Sequence, residues 1–256
     1  MAIFNTDALV LKQFDLGEAD KIITFYSKER GKIRAVAKNA SKGKSTRSGR
    51  VLPFTYNNIT VYRGSSIDKL NQVSNKFSFT ALRENLNKMA YASYMAEIIE
   101  KVGMEDDPNP PLFSLLLATF HKMLDAAENE LDNINLAFKL RTLTILGFKP
   151  ELEKCLFCEK SLKISSKNIF DIASGGLVCS DCFQQSMEDE VISYLSGESL
   201  QVIKKILNSG LKIPQNLKVS PNGFKELDQL IDKFIKYHLD LKLKSQKFLH
   251  MIRDLG

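Results

Sequence analysis

The stretch Ile22-Ile-Thr-Phe-Tyr-Ser-Lys-Glu-Arg-Gly-Lys-Ile-Arg-Ala-Val-Ala-Lys38 decides the N-terminal fold. Its first five residues are β-branched and aromatic, Lys28-Glu-Arg-Gly31 is a turn, and Ile33, Ala35 and Ala37 then alternate with Arg34 and Lys38. That is a hairpin, with Gly31 supplying the backbone freedom at the turn. Ala8–Leu11 before it is a short apolar strand. Ile59 and Val61 alternate with Thr60 and Tyr62 after it, and Leu70–Val73 follows. Several short strands with glycine-containing turns in a segment of this length predict a small barrel or sandwich.

Charge singles out the same segment. Residues 1–80 carry 14 Lys/Arg against 6 Asp/Glu, whereas the remaining positions carry 22 against 24. The densest run is Lys28, Arg30, Lys32, Arg34, Lys38, Lys42, Lys44, Arg47 and Arg50, with Glu29 as its one acid. A basic first third followed by a near-neutral remainder points to a polyanion partner for one domain and different work for the other. Gly43-Lys44-Ser45 resembles the end of a phosphate loop, but that motif needs a glycine where Lys38 stands, so a nucleotide site is rejected. The bland alternative is a solvated basic loop without a partner.

From Phe79 the periodicity becomes helical. Leu82, Leu86, Met89, Ala90, Tyr94, Ile98 and Val102 recur at helix spacing up to a stop at Gly103. Further helices are predicted at Leu112–Leu124, Leu131–Leu146, Ser186–Leu195, Glu198–Leu207 and Gly223 to about Leu241. His121, His238 and His250 have no acidic or cysteine partner at motif spacing and are expected to be surface or packing residues. No apolar run approaches the roughly 18 residues of a membrane span, and the N-terminus has no basic-then-apolar secretory pattern.

All four cysteines form two knuckles, Cys155-Leu-Phe-Cys158 and Cys179-Ser-Asp-Cys182, with Ile169–Cys179 as a short hairpin arm between them. C-x2-C-x20-C-x2-C is zinc-ribbon spacing. Four thiolates fill a tetrahedral shell and leave no open position, so the expectation is one structural zinc per chain and no catalytic metal. A redox dithiol would need only one pair, and two disulfides would need an oxidising compartment; thiolate pairs of this kind suit the cytosol. Lys154, Lys160 and Lys163 lie close by in sequence and are either charge compensation or ordinary surface lysines.

A basic barrel, a helical body and a four-cysteine insertion together resemble the bacterial RecO family of recombination mediators. The resemblance runs through Asp7–Leu11, Phe14–Phe25, Gly31–Lys38, Leu52–Phe54, Leu146–Phe148 with Pro150, Gly175–Cys179 and Leu243–Leu249. It departs from the family at Asn39–Lys44, where lysine stands in place of a common arginine run; lysine lacks the planar fork that grips phosphate.

The resemblance implies an α+β multidomain chain. Residues 1–80 would be an OB-fold nucleic-acid-binding barrel, 81–150 the first part of a helical domain, 151–185 the zinc module and 186–256 the second helical part. It implies a DNA-repair protein of the cytoplasm and nucleoid, without enzymatic chemistry. Such a protein binds single- and double-stranded DNA, anneals complementary strands and, with a RecR-type partner, helps load recombinase onto DNA coated by single-strand-binding protein. It also implies binding of that protein's acidic C-terminal tail. Three helices carry apolar residues with candidate cations for the tail: Leu112–Leu124 with Lys122, Leu136–Leu146 with Lys139 and Arg141, and Val202–Leu207 with Lys204 and Lys205. The basic run from Lys28 to Arg50 is the expected DNA contact. Tyr26 and Tyr62 are candidates for base stacking, Tyr26 equally a candidate for the core. The competing class is a zinc-containing adaptor or transcription-related factor that binds protein and anneals nothing. A hydrolase lacks a candidate triad or an open metal site.

Overall fold

Strands β1 (Ile3–Leu16), β2 (Asp20–Ser27), β3 (Gly31–Ala37), β4 (Tyr56–Tyr62) and β5 (Asp68–Phe77) close into a barrel in the order β1-β2-β3-β5-β4. The computed structural model describes residues 2–40, 48–183, 191–210, 214 and 217–255. β1 pairs antiparallel with both β2 and β4, and β3 meets β5 in parallel. This is the five-stranded OB arrangement. Ala8, Val10, Ile23, Phe25, Ile33, Ala35, Ala37, Ile59 and Val61 fill the interior. Small alanines beside Phe25 suit the narrow barrel.

A β-bulge between Val10 and Lys12 changes the facing of β1. Ala8 and Val10 point inward, but beyond the bulge Lys12 pairs with Thr24 and Phe14 with Ile22, both on the outer face. One inserted residue flips every later side chain to the other side of the sheet.

The chain divides into two compact units. Met1–Leu131 with Leu243–Gly256 form the first, and Asp132–Lys242 the second. The first contains the barrel and helices α1 (Thr80–Glu84), α2 (Leu86–Val102) and α3 (Pro110–Leu124). Asn85 interrupts the expected continuous helix and caps α2, its side chain accepting the Lys88 N–H.

The C-terminal helix α7 (Lys244–Leu255) packs on α2. Glu97 of α2 accepts the N–H groups of Lys244 and Ser245 at 3.1 and 2.8 Å, so a carboxylate satisfies the free N-terminus of α7. The four-part sequence division therefore differs from the compact units. Residues 81–131 fall in one unit with the barrel, and the Glu97 cap and the α2 face bring the last helix into the same unit.

In the second unit, α4 (Leu131–Ile145), α5 (Gly197–Asn208) and α6 (Pro221–Leu239) enclose a core with a small sheet, β6 (Asn168–Asp171), β7 (Gly176–Val178) and β8 (Ile192–Leu195). The expected hairpin arm is β6–β7. The helix expected at 186–195 is not found over its described part: Ile192–Leu195 is a strand on β6, burying Ile192 and Leu195, while 186–190 lie outside the described residues. No helix among the described residues is long and apolar enough to cross a membrane.

Candidate nucleic-acid interface and metal centre

The cross-strand register builds the outer face of β1–β3 in rows: Tyr26 beside Lys32, then Lys12–Thr24–Arg34, then Phe14–Ile22–Val36. The end of α2 covers the first row. Tyr26 is fully buried against Gly103, and the Lys32 ammonium donates to the Glu100 carbonyl at 3.0 Å. Burial is the main cause that pushes the Tyr26 hydroxyl up to about 12. Tyr26 is thus a packing residue and not a stacking platform. Tyr62, on β4, is partly exposed.

Beyond the covered row the face opens. Arg34 and Lys38 are exposed, and Phe14 is 53% exposed with the Lys12 ammonium 5.1 Å from its ring centre. Sequence alternation had hidden Phe14. Counting parity from Ala8 and Val10 places it inside, and only the bulge brings it out.

Among the described residues, the remaining basic side chains do not form one patch. Lys28 and Arg30 are exposed at the β2–β3 turn, and the Arg30 guanidinium lies 5.2 Å from the Phe4 ring centre. Arg50 donates to the Val73 carbonyl at 3.1 Å and borders a separate polar cleft with Asn5, Asn58, Thr60 and Gln72. Lys42, Lys44 and Arg47 lie outside the described residues. The structure adds Arg63, at the end of β4, beside Lys32 and Arg34 in a cleft of about 320 Å³. Only its place in the fold marks it, since in sequence it is an isolated arginine.

In the second unit the cysteine sulfurs of Cys155, Cys158, Cys179 and Cys182 all lie within 4.8 Å of one another. Cys158 and Cys179, from different knuckles, are 3.7 Å apart. Metal–thiolate bonds of about 2.3 Å in a tetrahedron give sulfur–sulfur edges near 3.8 Å, so the residues fit a metal. Cys155 is buried and Cys158 exposed. The backbone supports the cluster: the Cys155 N–H donates to the Lys160 carbonyl at 2.9 Å and the Cys179 N–H to the Cys155 sulfur at 3.4 Å. Burial acts to raise the Cys155 thiol, but the N–H groups of Cys158, Cys179 and Phe157 outweigh it and bring it down to about 6. Cys182 is pushed up to about 12, first by its contact with Cys179 and then by Cys158. The two shifts run in opposite directions: Cys155 forms a thiolate readily, while Cys182 keeps its proton until a cation takes its place.

The description "Recombination protein O N terminal" matches residues 1–79, and "Recombination protein O C terminal" matches residues 83–247. The chain belongs to the RecO family. It is 34% identical over 249 residues to the DNA repair protein RecO of Desulforamulus reducens, covering 97% of this chain and 94% of that protein. The same identity and coverage hold for the RecO of Pelotomaculum thermopropionicum. The RecO of Alkaliphilus metalliredigens is 32% identical over 93% of this chain and 94% of its own. The RecO likeness spans both compact units.

Two of the cations considered for a tail groove are structural in this RecO-family chain. Lys139, 1% exposed, donates to Asp228 and Asp232 at 2.6 Å each, which ties α4 to α6. Arg141 is buried, donating to Ser209 Oγ at 2.7 Å, and burial lowers it to about 10. His238 is also a packing residue, among Phe148, Phe234 and Tyr237.

Proposed function

We propose that this chain is a recombination mediator in DNA repair: it binds single-stranded DNA, anneals complementary strands and, with a RecR-type partner, helps load recombinase onto DNA coated by single-strand-binding protein. The observation that carries the reading is the open end of the β1–β3 face in a RecO-family barrel. Exposed Arg34 and Lys38 share that face with exposed Phe14, which lies across β2 from them. Basic side chains release phosphate counterions, which lowers the repulsion between two strands. An aromatic ring at the same place stacks on a base without regard to its identity. The strand OB folds bind commonly lies along strands 2–3 and the adjoining loops.

Pairing supplies its own driving force, so the reading needs no bond-making step and no nucleotide hydrolysis. Duplex DNA is held through phosphates alone. In this reading Lys42, Lys44, Arg47 and Arg50 supply further phosphate contacts, Arg50 from its separate cleft. The metal is zinc, held by Cys155, Cys158, Cys179 and Cys182 in a purely structural role; an all-thiolate shell offers no open position for substrate. The work is cytoplasmic. Lys139 and Arg141 are committed inside the second unit and Lys204 pairs with Glu153 at 2.9 Å, so Lys122 is the first of the considered cations to test against the tail of single-strand-binding protein.

Fluorescence anisotropy with short labelled single strands separates this reading from the adaptor reading. Sequence-independent binding that weakens steeply with salt supports the mediator. Binding to partner proteins without measurable DNA affinity supports the adaptor.

A further inference from the structure

The cleft of about 320 Å³ between β3 and the β4–β5 loop is lined by Lys32, Arg34 and Arg63 and by Asp68, Glu105 and Asp106. Its three cations and three carboxylates cancel. Asp68 accepts the Gly64 N–H at 3.1 Å, and its charge, like that of Glu105, also acts on Arg63 without a direct pair. The other two carboxylates come from the turn after α2, and Asp106 pairs directly with Arg63. Both partners face solvent, Arg63 38% and Asp106 53% exposed, so the pair can be reached from outside.

The turn is fastened by its backbone and not by these charges. Glu105 forms bridges with Gly31 and Lys32, and the Lys32 N–H donates to the Met104 carbonyl at 2.9 Å. Gly31, at φ +65°, lets the Met104 and Asp107 carbonyls approach so closely that a Cβ there would meet each at 2.5 Å. Arg63 and Arg30 also flank one ring, their guanidiniums 5.4 and 5.2 Å from the Phe4 centre. Arg63 is therefore held in place by Phe4 and by Asp106, in a neutral cleft that borders Arg34 on the proposed strand-binding face.

We infer that this cleft is a gated phosphate subsite: the Asp106 carboxylate occupies Arg63 in place of a backbone phosphate, and an incoming single strand displaces it. A carboxylate and a phosphodiester both offer two acceptor oxygens to a guanidinium, so one substitutes for the other. The gate lowers affinity by the cost of breaking the internal pair. In an annealing protein that is useful, because a strand held weakly is a strand that can be given up to its complement. The inference rests on the single-strand-binding reading above.

The test compares the full-length wild type with Asp106→Asn, Arg63→Gln and the double variant, by anisotropy with oligo-dT across a salt series. Asparagine tolerates the left-handed backbone of residue 106, at φ 56°, so the turn stays formed; thermal unfolding checks this. Freed for one phosphate, Arg63 in Asp106→Asn should steepen the log–log salt slope by about 0.7 and tighten binding roughly fivefold at 0.1 M salt. The double variant should lose that gain. If Asp106→Asn matches wild type, or the double variant keeps the gain, the subsite is overturned while strand binding stands. If neither wild type nor any variant binds, the strand-binding reading falls and takes the subsite with it.

Discussion

Replacing both Arg34 and Lys38 by glutamine removes the two exposed cations that β3 and the residue after it present on the face that also exposes Phe14. Each phosphate contact to a single strand contributes a log–log salt slope of about 0.7, or about 0.7 log units of affinity at 0.1 M salt. Losing both should flatten the slope by about 1.4 and weaken binding about 25-fold. Neither side chain supports the barrel core, so the melting temperature should barely move. Lys32 is the internal control. It lies on the same strand, but its ammonium is held by the Glu100 carbonyl at 3.0 Å. Lys32→Gln should cost about 1 kcal/mol of stability and change DNA affinity much less than the pair. The assay is anisotropy over a salt series, with denaturant unfolding alongside. An unchanged slope in Arg34→Gln/Lys38→Gln, or an equal loss in Lys32→Gln, refutes the assignment of the strand to the open end of this face.

Phe14→Ala should lower single-strand affinity by about 1–3 kcal/mol, the worth of one stacked base, while leaving the salt slope unchanged; anisotropy separates the two quantities. Cys158→Ser should abolish stoichiometric zinc, read by elemental analysis of protein purified under reducing conditions, while the barrel, whose core is formed by other residues, stays folded by circular dichroism. Lys139→Ala should destabilise the second unit by about 3 kcal/mol, since it strands Asp228 and Asp232 without their buried partner. Glu97→Gln should cost about 1 kcal/mol at neutral pH through loss of the charged cap on α7. Burial opposes, but the bonds from Ser245 and Lys244 prevail and hold the Glu97 carboxyl below its ordinary 4.5. The wild-type advantage should therefore be full above that value and vanish as pH falls through the lowered one, which paired unfolding curves at several pH values will show.

The hairpin from Ile22 to Lys38 was legible because nothing interrupts its alternation, and the cysteine cluster because its spacing permits little else. Phe14 was not legible, since a bulge leaves no composition signal and reverses facing for everything after it. Ile192–Leu195 looked helical because a short apolar run fits either period, and pairing with β6 decided it. Lys139 and Arg141 looked like surface cations because their partners, Asp228, Asp232 and Ser209, lie far along the chain. Arg63 and Asp106 are ordinary in sequence. They become a pair only once the turn at Met104–Asp107 docks on Gly31.

Strand annealing is measured by the rate at which two complementary oligonucleotides pair, followed by fluorescence quenching with zinc-replete full-length protein. Pairing should run well above the spontaneous rate without nucleotide, keep that gain when the strands are first coated with single-strand-binding protein, and lose it in Arg34→Gln/Lys38→Gln. Pairing no faster than the spontaneous rate, with bare and coated strands alike, would contradict the annealing role.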